Sequence, residues 1–222
     1  MEKISKAVKI LKTGGIVVYP TDTAYGLAVD ATNAKAVTKL YRLKGRDFRK
    51  PIHVIVPKHL HTVPYASNKG AERLMKKFWP GPLTIVLPLS EKGKSWKLLS
   101  AGTKTIGIRL PNHKLALDLA KKFGKPITAT SANVSGQTTP YSIAEVKKQF
   151  KNRNISAKGG PASGGKPDFY LDGGKLKPTK PSTVVMIRKN HVKILRLGPI
   201  KERQIKSVFS DNNTTLFFSS NK

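Results

Sequence analysis

The 222-residue chain has no cysteine. Disulfide frameworks and thiolate metal centres are thereby excluded, which fits a reducing cytoplasm. Acidic residues are scarce: 12 Asp+Glu stand against 42 Lys+Arg, a formal net charge of +30. A field of that sign gathers polyanions and anionic substrates. Nucleic acid is the obvious candidate partner. The basic residues are nevertheless spread along the whole chain with no dominant block, as they would be on a generally solvated surface. Long apolar runs are missing too. No stretch approaches the ~20 residues of a membrane span, and the opening Met1-Glu2-Lys3-Ile4-Ser5-Lys6 reads as an amphipathic helix and not as a signal peptide. Hydrophobic residues make up 38%, lean for a globular chain but enough for one large domain.

Several catalytic signatures are also absent. There is no G-x-S-x-G nucleophile elbow, no Walker A sequence and no G-x-G-x-x-G. The five histidines, at 53, 59, 61, 113 and 191, show neither i, i+4 spacing nor pairing with carboxylates. A protein-ligated metal site is therefore not expected. His59 and His61 flank Leu60 in an expected loop and read as surface residues.

What is present is an alternation of helical and extended patterns. Ile4, Ala7, Val8 and Leu11 predict a helix over 2–12, and Ile16–Tyr19 a buried strand. Pro20 to Leu27 comes next as a polar loop. Thr32 or Asn33 can cap a helix with Ala36, Val37, Leu40 and Tyr41 inside. That helix runs into a basic turn, Lys44 to Pro51, suited to phosphate or simply to water. Further strands are predicted at His53–Val56, Leu83–Leu87, Thr105–Leu110 and 126–130, and helices at 69–78, 112–123 and 142–150, with 91–103 as a loop. Trp79, before the Pro80-Gly81-Pro82 turn, reads as a core anchor. Residues 152–167 are Gly/Ser/Lys-rich and predict a mobile stretch. Asp168 to Gly174 reads as strand and turn, and Ser182–Ile187 with His191–Arg196 as a final hairpin around Lys189 and Asn190. Residues 1–200 form the expected domain, and 201–222 a helix remnant with a frayed tail. Crossovers followed by a hairpin imply an α/β fold with a twisted mixed sheet, parallel and antiparallel, flanked by helices.

Polar and basic groups recur at the predicted strand ends: Thr21 and Thr23, Lys44 and Arg46, Arg109, Ser131 and Asn133, Ser182, Arg196. Open α/β sheets usually bind ligands there. The most concentrated case is 126–140, with Thr128, Thr130, Ser131, Asn133, Ser135, Thr138 and Thr139. Such a loop can cradle an oxygen-rich ligand, and the same residues also make ordinary turns. Hydroxyls beside cations suit a nucleotide and a small carboxylate.

Seven stretches, taken together and in order, resemble the YrdC-like family. They are Pro20-Thr-Asp-Thr-Ala-Tyr-Gly-Leu27, Lys44-Gly-Arg46 with Lys50-Pro51, Trp79-Pro-Gly-Pro-Leu-Thr84, Ile108-Arg-Leu-Pro111, Ser131-Ala-Asn-Val-Ser-Gly136, Pro181-Ser-Thr-Val-Val185 and Leu195-Arg-Leu-Gly198. The resemblance covers roughly residues 5–200. It implies a YrdC-like α/β sheet with a basic concave face. It also implies a threonylcarbamoyl-AMP synthase, a nucleotidyltransferase that uses ATP, L-threonine and bicarbonate and releases pyrophosphate. The product would serve N6-threonylcarbamoylation of adenosine 37 in tRNA through partner enzymes. Magnesium would be held mainly by the phosphates. By the same resemblance, Lys44, Arg46, Ser131 and Asn133 form the catalytic signature. Arg46, Lys50, Thr105, Ser131, Thr139 and Arg196 would hold ATP, and Thr21, Thr23, His53, Arg109, Ala129 (backbone) and Ser182 would hold threonine. Lys44 and Arg46 would offset the repulsion between two anions. A non-catalytic RNA-binding or ribosome-associated relative is the alternative that the net charge favours.

Three positions depart from the family pattern. Ile55 stands where many members carry His, with His53 two residues earlier on the same face as a substitute. Ala28 replaces a usual Gly, and Met186 a common acidic residue. The chain is expected to be the short form, without the further C-terminal domain of longer synthases, and cytoplasmic.

Overall fold

Helix α1 (Glu2–Lys12) buries Ala7, Val8 and Leu11, the residues whose spacing predicts it. The structure is a computed structural model that describes residues 2–56, 65, 67–151, 165–189, 191–209 and, in backbone, 217–220. His59, His61, Asn190 and nearly all of the Gly/Ser/Lys-rich 152–167 stretch lie outside the described residues.

Five more helices match the expected patterns. In α2 (Ala34–Lys44), Asn33 is the N-cap and its side chain accepts from the Ala36 N–H, while Gly45 closes the helix at φ 58°. That left-handed geometry is easy for glycine and costly for other residues. Helix α3 (Lys69–Phe78) is capped by Asn68. Helix α4 (Lys114–Phe123) comes after it in the chain. Helix α5 (Ile143–Phe150) is capped by Ser142, and α6 (Glu202–Lys206) is short. Within the expected 91–103 loop, Glu91–Trp96 forms a 3-10 turn.

The strands are β1 (Val17–Pro20), β2 (Tyr25–Ala28), β3 (His53–Ile55), β4 (Leu83–Pro88), β5 (Thr105–Arg109), β6 (Ile127–Ser131), β7 (Phe169–Tyr170), β8 (Thr183–Arg188), β9 (His191–Arg196) and β10 (Phe217–Ser220). They make one mixed sheet in the order β10-β9-β8-β4-β5-β3-β6-β2-β1-β7. β3 pairs parallel with β5, and β4 parallel with β8. β1–β2, β4–β5 and the predicted β8–β9 hairpin are antiparallel.

One expectation needs correction. The second half of the expected polar loop at 20–27 is strand β2, buried at all four positions. Tyr25-Gly-Leu-Ala alternates no polarity because it is covered on both faces, so the usual strand pattern is lost. Beyond α6, β10 adds a parallel edge to β9. Its paired aromatics, Phe217 and Phe218, have the β preference that the polar residues around them conceal.

Strand alternation sorts the interior into two cores. Ile16, Val18, Val54 and Val56 join the larger one with α2, α3, α5 and α6. Val17, Tyr19 and Ile55 face the other way and pack with α1 and α4. The pairing of β2 with β6 is brief, covering Gly26–Ser131 and Leu27–Thr130. Thr128 prolongs it through its side chain: Oγ1 accepts from the Val29 N–H at 3.0 Å and donates to the Leu27 carbonyl at 3.0 Å. Thr128 is fully buried. Thr128→Val keeps the shape but strands the Val29 N–H, so it should cost about 1–3 kcal/mol. Urea melts should show a lower midpoint at unchanged m-value.

Candidate active site

Register builds the site. Directly paired residues project to the same face, and Thr84 of β4 pairs Arg109, which pairs Ile55 of β3. His53 pairs Ala129, and Ser131 pairs Gly26, itself paired with Tyr19. Helices α1 and α4 pack over only part of this face. Beyond them lies a cavity of ≈ 550 Å³, lined by all of these residues and by Thr21, Thr23, Arg46, Lys50, Thr139, Ser182 and Arg196. No Asp or Glu is among its lining residues.

Each arginine is held by oxygen acceptors. Arg46 donates from Nε to the Lys50 carbonyl at 3.2 Å and from Nη2 to the Pro51 carbonyl at 2.9 Å. Tyr41 stiffens that turn by donating to the Lys50 carbonyl at 2.9 Å and stacking on Phe48 with ring centroids 4.7 Å apart. Arg196 donates to the Ser182 carbonyl at 3.0 Å and to its Oγ at 3.2 Å, and that hydroxyl also meets Thr84 Oγ1 at 2.9 Å. Arg109 donates to Thr23 Oγ1 at 3.1 Å and pairs with Asp22. Its Nε is buried without a partner among the described residues, an unsatisfied donor that a carboxylate would complete. Burial draws the Arg109 pKa down from its ordinary value, against the pull of Asp22.

Lys44 behaves differently. It is 1% exposed, and its Nζ donates to the carbonyls of Ser131 at 2.5 Å and Asn133 at 2.6 Å. The Ser131 hydroxyl donates to Asn133 Oδ1 at 2.5 Å, and Asn133 Nδ2 donates to the Gln137 carbonyl at 2.7 Å. Lys44 therefore sits beneath the 131–137 loop and Asn133 ties that loop together from within, both outside the cavity lining. Thr105 is also outside it, in an adjoining ≈ 330 Å³ hollow that shares Pro51 and His53. The other residues singled out from the sequence converge on the cavity: Thr21, Thr23, Arg46, Lys50, His53, Arg109, Ala129, Ser131, Thr139, Ser182 and Arg196. Sequence reasoning missed Tyr19, Asp22, Thr84 and Thr179. Thr84 was legible as a lone hydroxyl within an apolar strand, and Asp22 as the acid between two singled-out threonines.

His53 lies flat on the backbone of β5. A Cβ on Gly107 would come 2.3 Å from its Cδ2, so glycine is what admits the ring. Burial, then Arg196, Arg46 and Arg109, push the His53 pKa down to about 4. The imidazole is thus neutral at physiological pH.

These features define an α/β protein with a cationic, hydroxyl-rich cavity on one face of a mixed sheet, a site for anions. The family model for Sua5/YciO/YrdC, described as telomere recombination, matches residues 9–198, and the chain belongs to that family. It is 33% identical over 211 residues to the threonylcarbamoyl-AMP synthase of Pyrococcus abyssi, covering 94% of this chain and 58% of that protein. It is 35% identical over 204 residues to a putative threonylcarbamoyl-AMP synthase of Methanocaldococcus jannaschii, covering 90% and 89%. Among solved structures, P. abyssi Sua5 complexed with L-threonine superposes with a TM-score of 0.82 at 31% identity, over 96% of this chain and 58% of the other. E. coli YciO gives 0.75 at 26% identity, over 91% and 92%. The chain spans between 56% and 58% of the first curated relatives' length. No helix among the described residues is long and apolar enough to cross a membrane.

The His53 shift gives a signed prediction. Between about 4 and its ordinary 6.5, the unfolded chain carries a proton at His53 that the native state refuses. Stability from this group is therefore complete above pH 6.5 and falls away toward pH 4, with a slope approaching ~1.4 kcal/mol per pH unit. By NMR the free protein should show a His53 midpoint near 4. Adding pyrophosphate should raise that midpoint, because a bound anion offsets the three arginines. A midpoint that ignores pyrophosphate would remove the anion from this cavity.

Proposed function

We propose that the chain is a threonylcarbamoyl-AMP synthase, making threonylcarbamoyl-adenylate and pyrophosphate from ATP, L-threonine and bicarbonate. The observation that carries the reading is the cavity itself. It sets Arg46, Lys50, Arg109 and Arg196 among hydroxyls with no lining carboxylate, in a family where a similar protein is known with L-threonine.

The chemistry suits that wall. Bicarbonate and the ammonium group of threonine combine to a carbamate, with loss of water and a proton. A carbamate oxygen then attacks the α-phosphorus, and the bond to the β-phosphate oxygen breaks, so that pyrophosphate leaves with the electron pair. Nucleophile and target are both anions. Arg46, Lys50 and Arg196 would lower their repulsion and stabilise the charge that develops on the phosphoryl oxygens. Ser131 and Thr139 would hydrogen-bond the nucleotide. Arg109 would take the threonine carboxylate, which completes its Nε, with Thr23 and Ser182 beside it and Thr21 bracing Thr23 at 3.2 Å. Neutral His53 would line the threonine end without adding charge. Lys44 and Asn133 act as positioning residues: Lys44 would fix the 131–137 loop from below and Asn133 from within. Thr105 would serve ATP only where the nucleotide extends past His53 into the adjoining hollow.

No group of three or more His, Cys, Asp or Glu side chains able to hold a metal occurs among the described residues. With cations forming the wall, a magnesium ion fits here as a companion of the phosphates, and no step is routed through a protein-bound ion. Partner enzymes that pass the carbamoyl group to adenosine 37 of tRNA, and a cytoplasmic setting, belong to the same reading.

The test is pyrophosphate release from ATP. It should require threonine and bicarbonate together. Release independent of threonine, or none despite ATP binding, would show another acceptor. Arg46→Ala should lower the rate about 10²–10³-fold at unchanged melting temperature. Lys44→Met should instead lose about 2–3 kcal/mol of stability as well as rate, because it removes a charged donor from two buried carbonyls.

A further inference from the structure

The cavity is built to answer a carboxylate, and an amino acid also brings an ammonium. Arg46, Lys50, Arg109 and Arg196 line it, and no Asp or Glu is among its lining residues. Asp22 stands behind Arg109, with one oxygen on that guanidinium and the other accepting from the Asn112 N–H at 3.1 Å. Counting Asp22 and an incoming carboxylate, four cations still face two anions. Carbonyls that could cradle an ammonium are engaged: those of Lys50, Pro51 and Ser182 already accept from Arg46 and Arg196. Beside Arg109 the acceptor is Thr23. Thr21 uses its hydroxyl hydrogen on the Ala24 carbonyl at 2.7 Å. The Thr21–Thr23 contact at 3.2 Å therefore has Thr23 as its donor. Thr23 Oγ1 also accepts from Arg109 Nη1 at 3.1 Å. It thus shows the cavity a lone pair and no hydrogen. Arg109 Nε is buried without a partner among the described residues. A carboxylate on that Nε brings its own amino group into the neighbourhood of Thr23.

We propose that this cavity takes threonine as the free amine, so that binding itself prepares the nucleophile for carboxylation. The inference rests on the synthase reading in taking threonine as the ligand. An ammonium would carry three hydrogens and a charge into a wall of arginines and neutral oxygens. Cations nearby favour the uncharged form. The amine sheds the charge, donates to Thr23 and keeps its lone pair. A protein base is not required, because the ammonium proton goes to bulk water on binding. The lone pair then forms the N–C bond to bicarbonate. One C–O bond breaks, and the hydroxyl leaves as water with an amine hydrogen. The carbamate so formed adds negative charge where cations are in excess. The other titratable groups of the lining add no counter-charge. Tyr19 and Tyr25, on β1 and β2, are held as neutral phenols by burial. His53 on β3 is held neutral by burial and then by Arg196, Arg46 and Arg109. Phosphates would cancel much of this field, so the step belongs to the complex that forms before ATP.

The experiment is isothermal titration of threonine into the ATP-free protein, without bicarbonate, in neutral buffers of different ionisation enthalpy. About one proton should be released per threonine bound. The sign is diagnostic. A bound carboxylate raises the pKa of protein groups near it, so those groups take protons up. Kd should fall about tenfold per pH unit between about pH 6.5 and 8.5, as the free-amine fraction grows. The α-hydroxy analogue of threonine, with a hydroxyl in place of the amine, should bind with a Kd that ignores pH. Thr23→Asp supplies the missing counter-charge and should bind threonine without releasing a proton. If that variant does not fold, Arg196→Gln takes its place and should release less than the parent. The inference is overturned if threonine binds with no release and a flat Kd, or if the hydroxy analogue follows the same pH dependence. It is equally overturned if Thr23→Asp, or Arg196→Gln in its stead, releases protons as the parent does. Absence of threonine binding in a protein that still binds ATP would instead end the synthase reading, and this inference with it.

Discussion

One buried ammonium ties the two halves of the site together. Lys44 ends α2, and its Nζ reaches the carbonyls of Ser131 and Asn133 at the end of β6. The Lys44 carbonyl in turn accepts from the Ser135 N–H at 2.9 Å. A lysine is rarely so enclosed unless its charge is answered. Here carbonyl and amide oxygens answer it, so the interaction is directional and fixes where the loop runs. Gly45 then turns the chain in the left-handed region, and Arg46 emerges on the cavity side. A single helix end thus sets both the floor under the loop and the cation beside it.

The cavity is an electrostatic arrangement with one sign missing. Four cations line it, and the carboxylate behind Arg109, Asp22, is already engaged by that arginine and by the Asn112 N–H at 3.1 Å. Cations brought together repel, and the low pKa of His53 and the lowered pKa of Arg196, set by burial and then by Arg109, both register that repulsion. Carbonyls of Lys50, Pro51 and Ser182 partly screen it. What they leave over is favourable energy for whatever anion enters, which is how a site prepared before binding lowers the cost of bringing two anions together.

Most of the fold was legible because its helices obey the 3.6-residue period and α2, α3 and α5 are capped by Asn or Ser. Strands β5 and β9 were legible from alternation, and β1, β4 and β8 from short apolar runs bounded by turn residues. β2 was not, since burial on both faces removes alternation, and β10 was hidden among polar residues. At the site, residue type was informative at strand ends, where a hydroxyl or an arginine has few reasons to be. Direction was not. Sequence offers Lys44 and Arg46 as two equal cations two positions apart, yet the αL turn at Gly45 sends one under the loop and the other into the cavity. Thr105 is a related case: it shares a face with Arg109, but four residues along the strand place it in the next hollow.

The site exists because one layer of the fold is incomplete. Helices α1 and α4 cover Tyr19, Ala28, Ile55 and Ile127, but the same face continues across β3, β5 and β4 as His53, Gly107, Arg109 and Thr84. Apolar residues there would demand another helix to keep them from water. Polar ones can stand uncovered, provided that each finds a partner, and most do: Thr84 has Ser182, Arg109 has Asp22 and Thr23. The donors left over, Arg109 Nε above all, are those a covering layer would have had to satisfy. A bound carboxylate and a chain of phosphates would supply the oxygens that no helix does. In that sense the ligand completes the second layer of the sheet, and Arg46, Lys50, Arg109 and Arg196 line the gap where that layer is missing.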